Sequence, residues 1–377
     1  MKFIHLSDLH LGKRWNEYSL LEDQKYILEE ILKIISYEKP DGIIIAGDVY
    51  DKSIPSAEAV ELFDAFLVQL AELKLSAYII SGNHDSVERL SFGGRIMSAS
   101  NIYISPSYTG KISPIIKKDE HGTINIYLLP FVKPANIRKW YPDCVVDSYN
   151  DALNIVIKEM QIDTNQRNIL IAHQFITGAQ RCESETISVG GLDNIDVGVF
   201  ADFDYVALGH IHSSQNIGSE KVRYCGTPLK YSLSEINNAK SVTIVELGEK
   251  GHLSIKTATL TPLRDVVEIK GHYEELVSKA FYNGKSFQKD FLHVTLTDEE
   301  DVSNALGKMK SIYPNIIKFD YDNTRTRNQS HIESAEDVER KSPLELCKEF
   351  YIAQNGIEMS EEQEKYITSL IEKIWEN

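Results

Sequence analysis

Residues 1–12 read MKFIHLSDLHLG. An apolar run carrying Phe3, Ile4 and Leu6 ends in Asp8 and His10, two side chains out of place in a buried strand. On an extended chain, residues two apart project to the same side, so this strand end presents a carboxylate beside an imidazole. Taken alone, the pair reads equally well as a turn aspartate and a satisfied histidine. The rest of the chain decides between the two.

The pattern recurs. GIIIAGD (42–48) ends at Asp48, SAYIISGNHD (76–85) at Asn83 and His84, NILIAH (168–173) at His173, and YVALGHIH (205–212) at His210 and His212. Open α/β sheets place their sites at the carboxyl ends of strands, so five such ends in one chain point to one site. Asp8, Asp48, Asn83, His10, His173, His210 and His212 supply two carboxylates, an amide oxygen and four imidazoles. That set suffices for two divalent ions if one carboxylate bridges them. The absence of Cys ligands argues against a structural zinc site and for a borderline-hard ion such as Mn²⁺. Gly47, Gly82 and Gly209 each precede one of these residues, where a strand turns sharply or a ligand approaches backbone.

Between the strands, SLLEDQKYILEEILKIISYEKP (19–40) repeats apolar residues at helical spacing, and Pro40 ends the helix. A second helix is expected at about 56–73. The chain to residue 85 therefore reads β-α-β-α-β, helices packed on a sheet. NIYIS and INIYLLP follow without helices between them, so the sheet should be mixed. A helix at about 148–161 leads to NILIAHQ, DYVALGHIH, KVRYCGTP and SVTIVEL, and the last group reads as a second, more antiparallel layer. The expected fold class is α/β, a two-layer mixed β-sheet sandwich flanked by helices. From about 265, DVVEIKG, a helix, FLHVTLTD, a helix over DVSNALGKMKSIYP, and NIIKFDYD spell a small βαβαβ unit. The expected boundaries are 1–262, 263–322 for this small unit, a polar linker at 323–342, and C-terminal helices at 343–377. The last helix carries the stripe Tyr366, Ile367, Leu370, Ile371, Ile374 and Trp375.

The 377 residues suffice for two domains, and 42% hydrophobic with 25% charged residues is the composition of a soluble globular protein. No stretch approaches the ~18 apolar residues of a spanning helix, and Asp8 and His10 interrupt any signal-peptide apolar region. Cys144, Cys182, Cys225 and Cys347 are scattered without C-x-x-C spacing, which argues against a disulfide framework and for a reducing cytoplasm. A net charge of −16 counts against wrapping nucleic acid unaided. It does not exclude a nuclease whose metal ions or partner supply the positive charge. There is no G-x-x-x-x-G-K-[ST] phosphate loop.

In order, the chain carries D-x-H, G-D, G-N-H-D, H and G-H-x-H, and in this it resembles the calcineurin-like metallophosphoesterase superfamily. The flanking words HLSDLHLGKR, AGDVYDKSIPS, SGNHDS, LGHIH and YCGTPLKYSLSE look like one branch, the SbcD family of nuclease subunits, and the likeness runs the length of the chain. The resemblance implies that Asp48 bridges two ions, that Asp8, His10 and His212 complete one site, and that Asn83, His173 and His210 complete the other. It implies that His84 is no ligand but sits over the scissile phosphate. Where some relatives carry a second histidine after G-D, this chain has Val49, Tyr50 and Asp51. Asp51 reads either as orienting a ligand or water, or as a turn carboxylate.

The implied activity is Mn²⁺-dependent DNA cleavage, 3′→5′ on double-stranded ends and endonucleolytic on single strands and hairpins. An SbcC-type ATPase is the implied partner, gripped by the C-terminal helices. The small unit at 263–322 becomes a capping domain for DNA-end selection, and helices around 56–100 become a homodimer contact. Lys13, Arg14, Lys230 and Tyr231 are candidate DNA contacts, with solvated loop-rim residues as the alternative. His5, His121, His252, His272, His293 and His331 lie off the motif and read as structural or surface residues. The rival readings are a small-molecule phosphodiesterase or phosphatase of the same superfamily, and a non-catalytic adaptor, which would have lost ligands or His84.

Overall fold

The computed structural model describes every residue except 184, 186–193, 325, 327–342, 356–357 and 377. Two six-stranded sheets form its centre. The first runs Leu253–Thr259, Ser241–Leu247, Lys2–Leu6, Gly42–Ala46, Ser76–Ile80, Ile102–Ile104. The second runs Gln215–Ile217, Ser219–Tyr224, Tyr205–Gly209, Arg167–His173, Gly122–Leu128, Ile115–Asp119. Residues of alternate parity explain why GIIIA shows no polar face. Ile44 and Ala46 meet Phe3, Tyr78, Ile126, Ile171 and Ala207 between the sheets. Ile43 and Ile45 face outward, where Ile27, Ile31, Phe63 and Phe66 cover them. A parallel strand buried on both faces reads as one apolar run.

The covering helices are Leu21–Glu38 and Ala57–Glu72 on the first sheet, and Tyr149–Glu159, through Leu153 and Val156, on the second. Ser56 caps its helix by accepting from Ala59 N at 3.3 Å. The first helix stops at Lys39, whose left-handed backbone (φ 50°) immediately precedes Pro40. His5, buried between the sheets with Nδ1 2.8 Å from Tyr205 OH, is the structural histidine its off-motif position suggests. His331 lies outside the described residues.

Both sheets are mixed, yet the division into layers differs from the expectation. SVTIVEL does not join the second layer; Ser241–Leu247 pairs antiparallel with Lys2–Leu6 in the first sheet. The second sheet is parallel through its four inner strands and antiparallel only at its edges. Strand alternation records which residues are buried and carries no mark of which strand lies alongside.

The βαβαβ unit is present as a three-stranded parallel sheet, Val266–Gly271, Phe291–Leu296 and Ile316–Tyr321, with its own core around Leu276, Val294 and Met309. The helix after its middle strand, Ala305–Lys310, is shorter than the pattern suggests, with Asn304 in a left-handed conformation just before it. The unit is fastened to the sandwich by Arg264 Nε donating to Asp23 at 2.9 Å, Tyr18 OH to Pro314 O at 2.8 Å, and Asn16 Nδ2 to Ile317 O at 3.1 Å. The helices Pro343–Asn355 and Glu361–Glu376 join through Lys348–Glu364 (2.8 Å) and Gln363 to Tyr351 OH (3.2 Å). Most of the expected linker lies outside the described residues. Among those described, no helix is long and apolar enough to cross a membrane.

Candidate metal centre

The strand ends do converge, but not by the extended geometry that the spacing of Asp8 and His10 suggests. Lys2–Leu6 ends before Asp8, and both residues then adopt left-handed backbones, with φ 52° and 44°. Asp48 (φ 47°) and His210 (φ 98°) do the same. Residues other than Gly at positive φ are uncommon, and such strain persists only where the surroundings hold it. Here Asp8 N donates to Gly47 O and His10 N to Asp48 O, each at 3.0 Å, stitching the first two loops together. Gly47, Gly82 and Gly209 are needed for close approach: a Cβ would overlap the His173 ring, the Asp48 carboxylate and the Ala46 carbonyl respectively.

Among the described residues, three groups of side chains have ligand atoms within 4.8 Å of one another: Asp8, His10 and His212; His10, Asp48 and His84; and Asp8, Asp48 and His173. Asn83 Oδ1 lies 3.1 Å from His173 Nε2 and 3.0 Å from His210 Nδ1. Asp48 Oδ2 stands between the two sides, 3.3 Å from His173 Nε2 and 3.8 Å from His10 Nε2. All seven candidate ligands are therefore brought into one cluster, with Asp48 central.

The donor set fits divalent ions. His173 Nδ1 lies 2.8 Å from Ala46 O and donates there, so Nε2 is left facing Asn83 Oδ1 and Asp48 Oδ2, acceptor to acceptor, unless a proton or a cation lies between them. His10 Nε2 and His212 Nε2 face each other at 3.2 Å, and His10 Nδ1 is buried without a hydrogen-bond partner among the described residues. Charge points the same way. Burial opposes a charged His173, yet Asp48 and Asp8 outweigh it and push that imidazole up to about 9. Burial, then the neighbouring His173, pushes His210 down to about 3. Two enclosed carboxylates thus call for positive charge, which divalent ions supply.

His84 is half-buried; its backbone N donates to Asp48 Oδ1 at 2.9 Å and its Nδ1 to Asp51 O at 2.9 Å. The second Asp51 reading, a turn carboxylate, understates it: Oδ1 accepts from Lys13 Nζ at 3.0 Å and lies 3.8 Å from His10 Nδ1. Two candidate DNA contacts are corrected. Tyr231 is buried, its hydroxyl donating to Leu9 O, and Lys230 reaches the βαβαβ unit through Asp265 at 2.8 Å. Their side chains are committed to structure: Tyr231 packs against Gln24 and His10 of the sandwich, and Lys230 is held by Asp265 at the start of the βαβαβ unit. Lys13 is part-buried beside Asp51, and Arg14 is exposed.

Four supporting residues have no role in the motif reading. Asp85, the last letter of G-N-H-D, accepts from Val49 N (3.1 Å), Tyr50 N (2.9 Å) and Gly82 N (2.9 Å). Burial and the nearby Asp48 push its carboxyl up to about 6. Gln24 donates to His10 O at 2.7 Å, Glu185 accepts from His212 N at 2.6 Å, and Glu235 Oε1 lies 3.3 Å from His212 Nδ1. Asp85 was findable from its place in the motif. The other three lie 14, 27 and 23 residues from their partners and carry no local signal.

Residues 1–214 match the family model of the calcineurin-like phosphoesterases, and the chain belongs to that class. Residues 262–355 match the model described as the type 5 capsule protein repressor C-terminal domain. Two relatives are named as the SbcD component of the nuclease SbcCD. The one from Staphylococcus epidermidis is 33% identical, covering 98% of each chain. The one from Staphylococcus saprophyticus is 32% identical, covering 99% of each. Within the class, then, this chain is a member of the SbcD family. Among solved structures, a dimetal phosphatase from Danio rerio matches at TM-score 0.41 and 10% identity, over 69% of this chain and 98% of that one, a likeness too loose to argue from.

Proposed function

We propose that this chain is the metal-dependent DNA nuclease subunit of an SbcC–SbcD-type complex. The observation that carries the reading is the convergence of two carboxylates, an amide oxygen and four imidazoles on one cluster at the strand ends. Asp8, His10 and His212 would hold one divalent ion and Asn83, His173 and His210 the other, with Asp48 shared between them. The ions are Mn²⁺. When bound, such a pair clamps a phosphate and lowers the pKa of coordinated water. The chain's own contribution falls to His84. With Nδ1–H held by Asp51 O, the imidazolium form of His84 carries its second proton on Nε2, from which it would pass to the leaving 3′ oxygen and leave the ring neutral, a contribution of roughly 10²–10⁴-fold. His84 also belongs to one of the ligand-like groups, and the metal content of His84→Ala distinguishes an acid from a ligand.

The substrate is DNA, cut 3′→5′ at double-stranded ends and internally at hairpins and single strands, and the protein works in the cytoplasm. Lys13 and Arg14 steer phosphates at the rim. The chain divides at 1–262, 263–322, 323–342 and 343–377, the second part selecting DNA ends and the last binding the SbcC-type ATPase. Phe350 and Tyr366, at 68% and 64% exposure, are apolar anchors available to that partner. Phe92 and Ile96, at 85% and 80%, with Val60 and Val68 on the outer face of Ala57–Glu72, form the homodimer contact.

The test is cleavage of labelled hairpin and double-stranded DNA with Mn²⁺ or Mg²⁺, with and without the ATPase, beside a small phosphodiester. DNA cleavage that requires the metal supports the reading. Efficient turnover of the small diester with DNA left intact refutes it in favour of a small-molecule phosphodiesterase.

A further inference from the structure

Behind His212 lies a buried ion pair that the ligand set does not use. Glu235 is fully buried (0% exposed) on the short helical turn Leu233–Glu235. Its Oε1 lies 3.3 Å from His212 Nδ1 and accepts from Tyr231 N (3.2 Å) and Ser232 Oγ (3.1 Å). Its Oε2 meets Lys240 Nζ at 2.5 Å and Thr227 Oγ1 at 3.2 Å. Lys240 Nζ also donates to the carbonyl oxygen of His212 at 3.0 Å. One ion pair therefore holds His212 at both its ring and its backbone. Burying such a pair is costly relative to apolar side chains of the same size, so its presence here calls for a reason beyond packing.

The reason lies in an asymmetry between the two imidazoles on opposite sides of Asp48. His173 donates its Nδ1 proton to a neutral carbonyl, Ala46 O. His212 has a carboxylate in the corresponding place. We propose that Glu235, itself held by Lys240, is a positioning residue that keeps His212 protonated on Nδ1. It thereby sets the affinity of one ion only, the one on Asp8, His10 and His212. A carboxylate at Nδ1–H fixes the ring orientation and makes Nε2 a better donor to metal. His212 Nε2 is the nitrogen that faces His10 Nε2. The proposal rests on the metal-centre reading above.

The test uses the full-length protein, stripped of metal and titrated with Mn²⁺ alone by calorimetry, with the electron paramagnetic resonance spectrum recorded alongside. Wild type is expected to take up two ions and develop the signal of a coupled pair. Glu235→Gln is expected to bind one ion with unchanged affinity and the other about 10–100-fold more weakly, so that an isolated Mn²⁺ signal persists past one equivalent. In a His212→Asn background, Glu235→Gln should add less than a twofold further loss. Glu235→Asp, which keeps a charge for Lys240, should show the same one-sided loss to a smaller extent and serves if the Gln variant does not fold. Unchanged affinities, equal weakening of both ions, or failure of both variants to fold would each overturn the proposal and leave Glu235 a structural residue. A wild type that binds no ion pair would instead overturn the metal-centre reading itself.

Discussion

Arg264→Ala should loosen the βαβαβ unit without touching the metal centre, and the size of the effect follows from the contact. Asp23 is buried (1% exposed) on the first helix and meets Arg264 through two parallel bonds, Nε to Oδ1 at 2.9 Å and Nη2 to Oδ2 at 2.5 Å. Arg264 also lies 3.1 Å from Glu22 and 5.0 Å over the ring of Phe291, in the central strand of the βαβαβ unit. Removing one partner of a buried pair costs about 3–5 kcal/mol, because the other charge is left enclosed. The Arg264 side chain is 23% exposed, so solvent screens part of that, and about 2–4 kcal/mol is expected. Arg264→Lys keeps the charge but not the fork and should recover less than half.

The readout is a urea titration followed by Trp15, which lines the cleft with Arg264 and Phe291, after Trp140 and Trp375 are changed to Phe. A double-mutant cycle with Asp23→Ala should return a coupling of about 1.5–3 kcal/mol. Mn²⁺ uptake and hydrolysis of a small phosphodiester should stay near wild type while cleavage of double-stranded ends falls. An Arg264→Ala midpoint shifted by less than about 0.5 kcal/mol, or single effects that simply add, would refute the claim that this pair docks the unit.

Three other outcomes are expected. His84→Ala should retain both ions yet lose most DNA cleavage, whereas Asp48→Ala should lose metal; loss of ions from the His84 variant, measured by metal analysis, would make His84 a ligand. Asp119 is held well below the usual carboxylate range, chiefly by Arg167 and also by the amino terminus at 2.8 Å. Because the folded value is the depressed one, the stability it contributes is full above the unfolded carboxylate value near pH 4 and is lost on further acidification. The gap in urea midpoint between wild type and Asp119→Asn should therefore narrow below about pH 4, and a gap unchanged to pH 2 would refute this. Deleting 343–377 should leave folding, metal uptake and basal nuclease activity intact and abolish co-purification with the ATPase; an insoluble product would place these helices in the chain's own core.

The candidate ligands were legible because their signal is local. Asp8, Asp48, Asn83, His173 and His210 each stand at the end of an apolar run, and a chemically reactive side chain there is visible within ten residues. The βαβαβ unit was legible for a similar reason, its strands and helices following one another without a crossover to the sandwich. The placement of Ser241–Leu247 was not. Its alternation is the same whichever strand it joins, and it crosses to Lys2–Leu6, more than 230 residues away, because the backbone hydrogen bonds of that edge were open to it. Lys230 and Tyr231 look like rim residues until Asp265 of the βαβαβ unit takes the one and Leu9 of the first loop the other. Glu235 reaches His212 only after the chain between them has folded back. Nor does the spacing of Asp8 and His10 reveal that both turn left-handed. Chemistry resides in individual side chains, which sequence names one by one. Partners, burial and strained backbone arise from contacts between distant segments, and only the folded chain decides those.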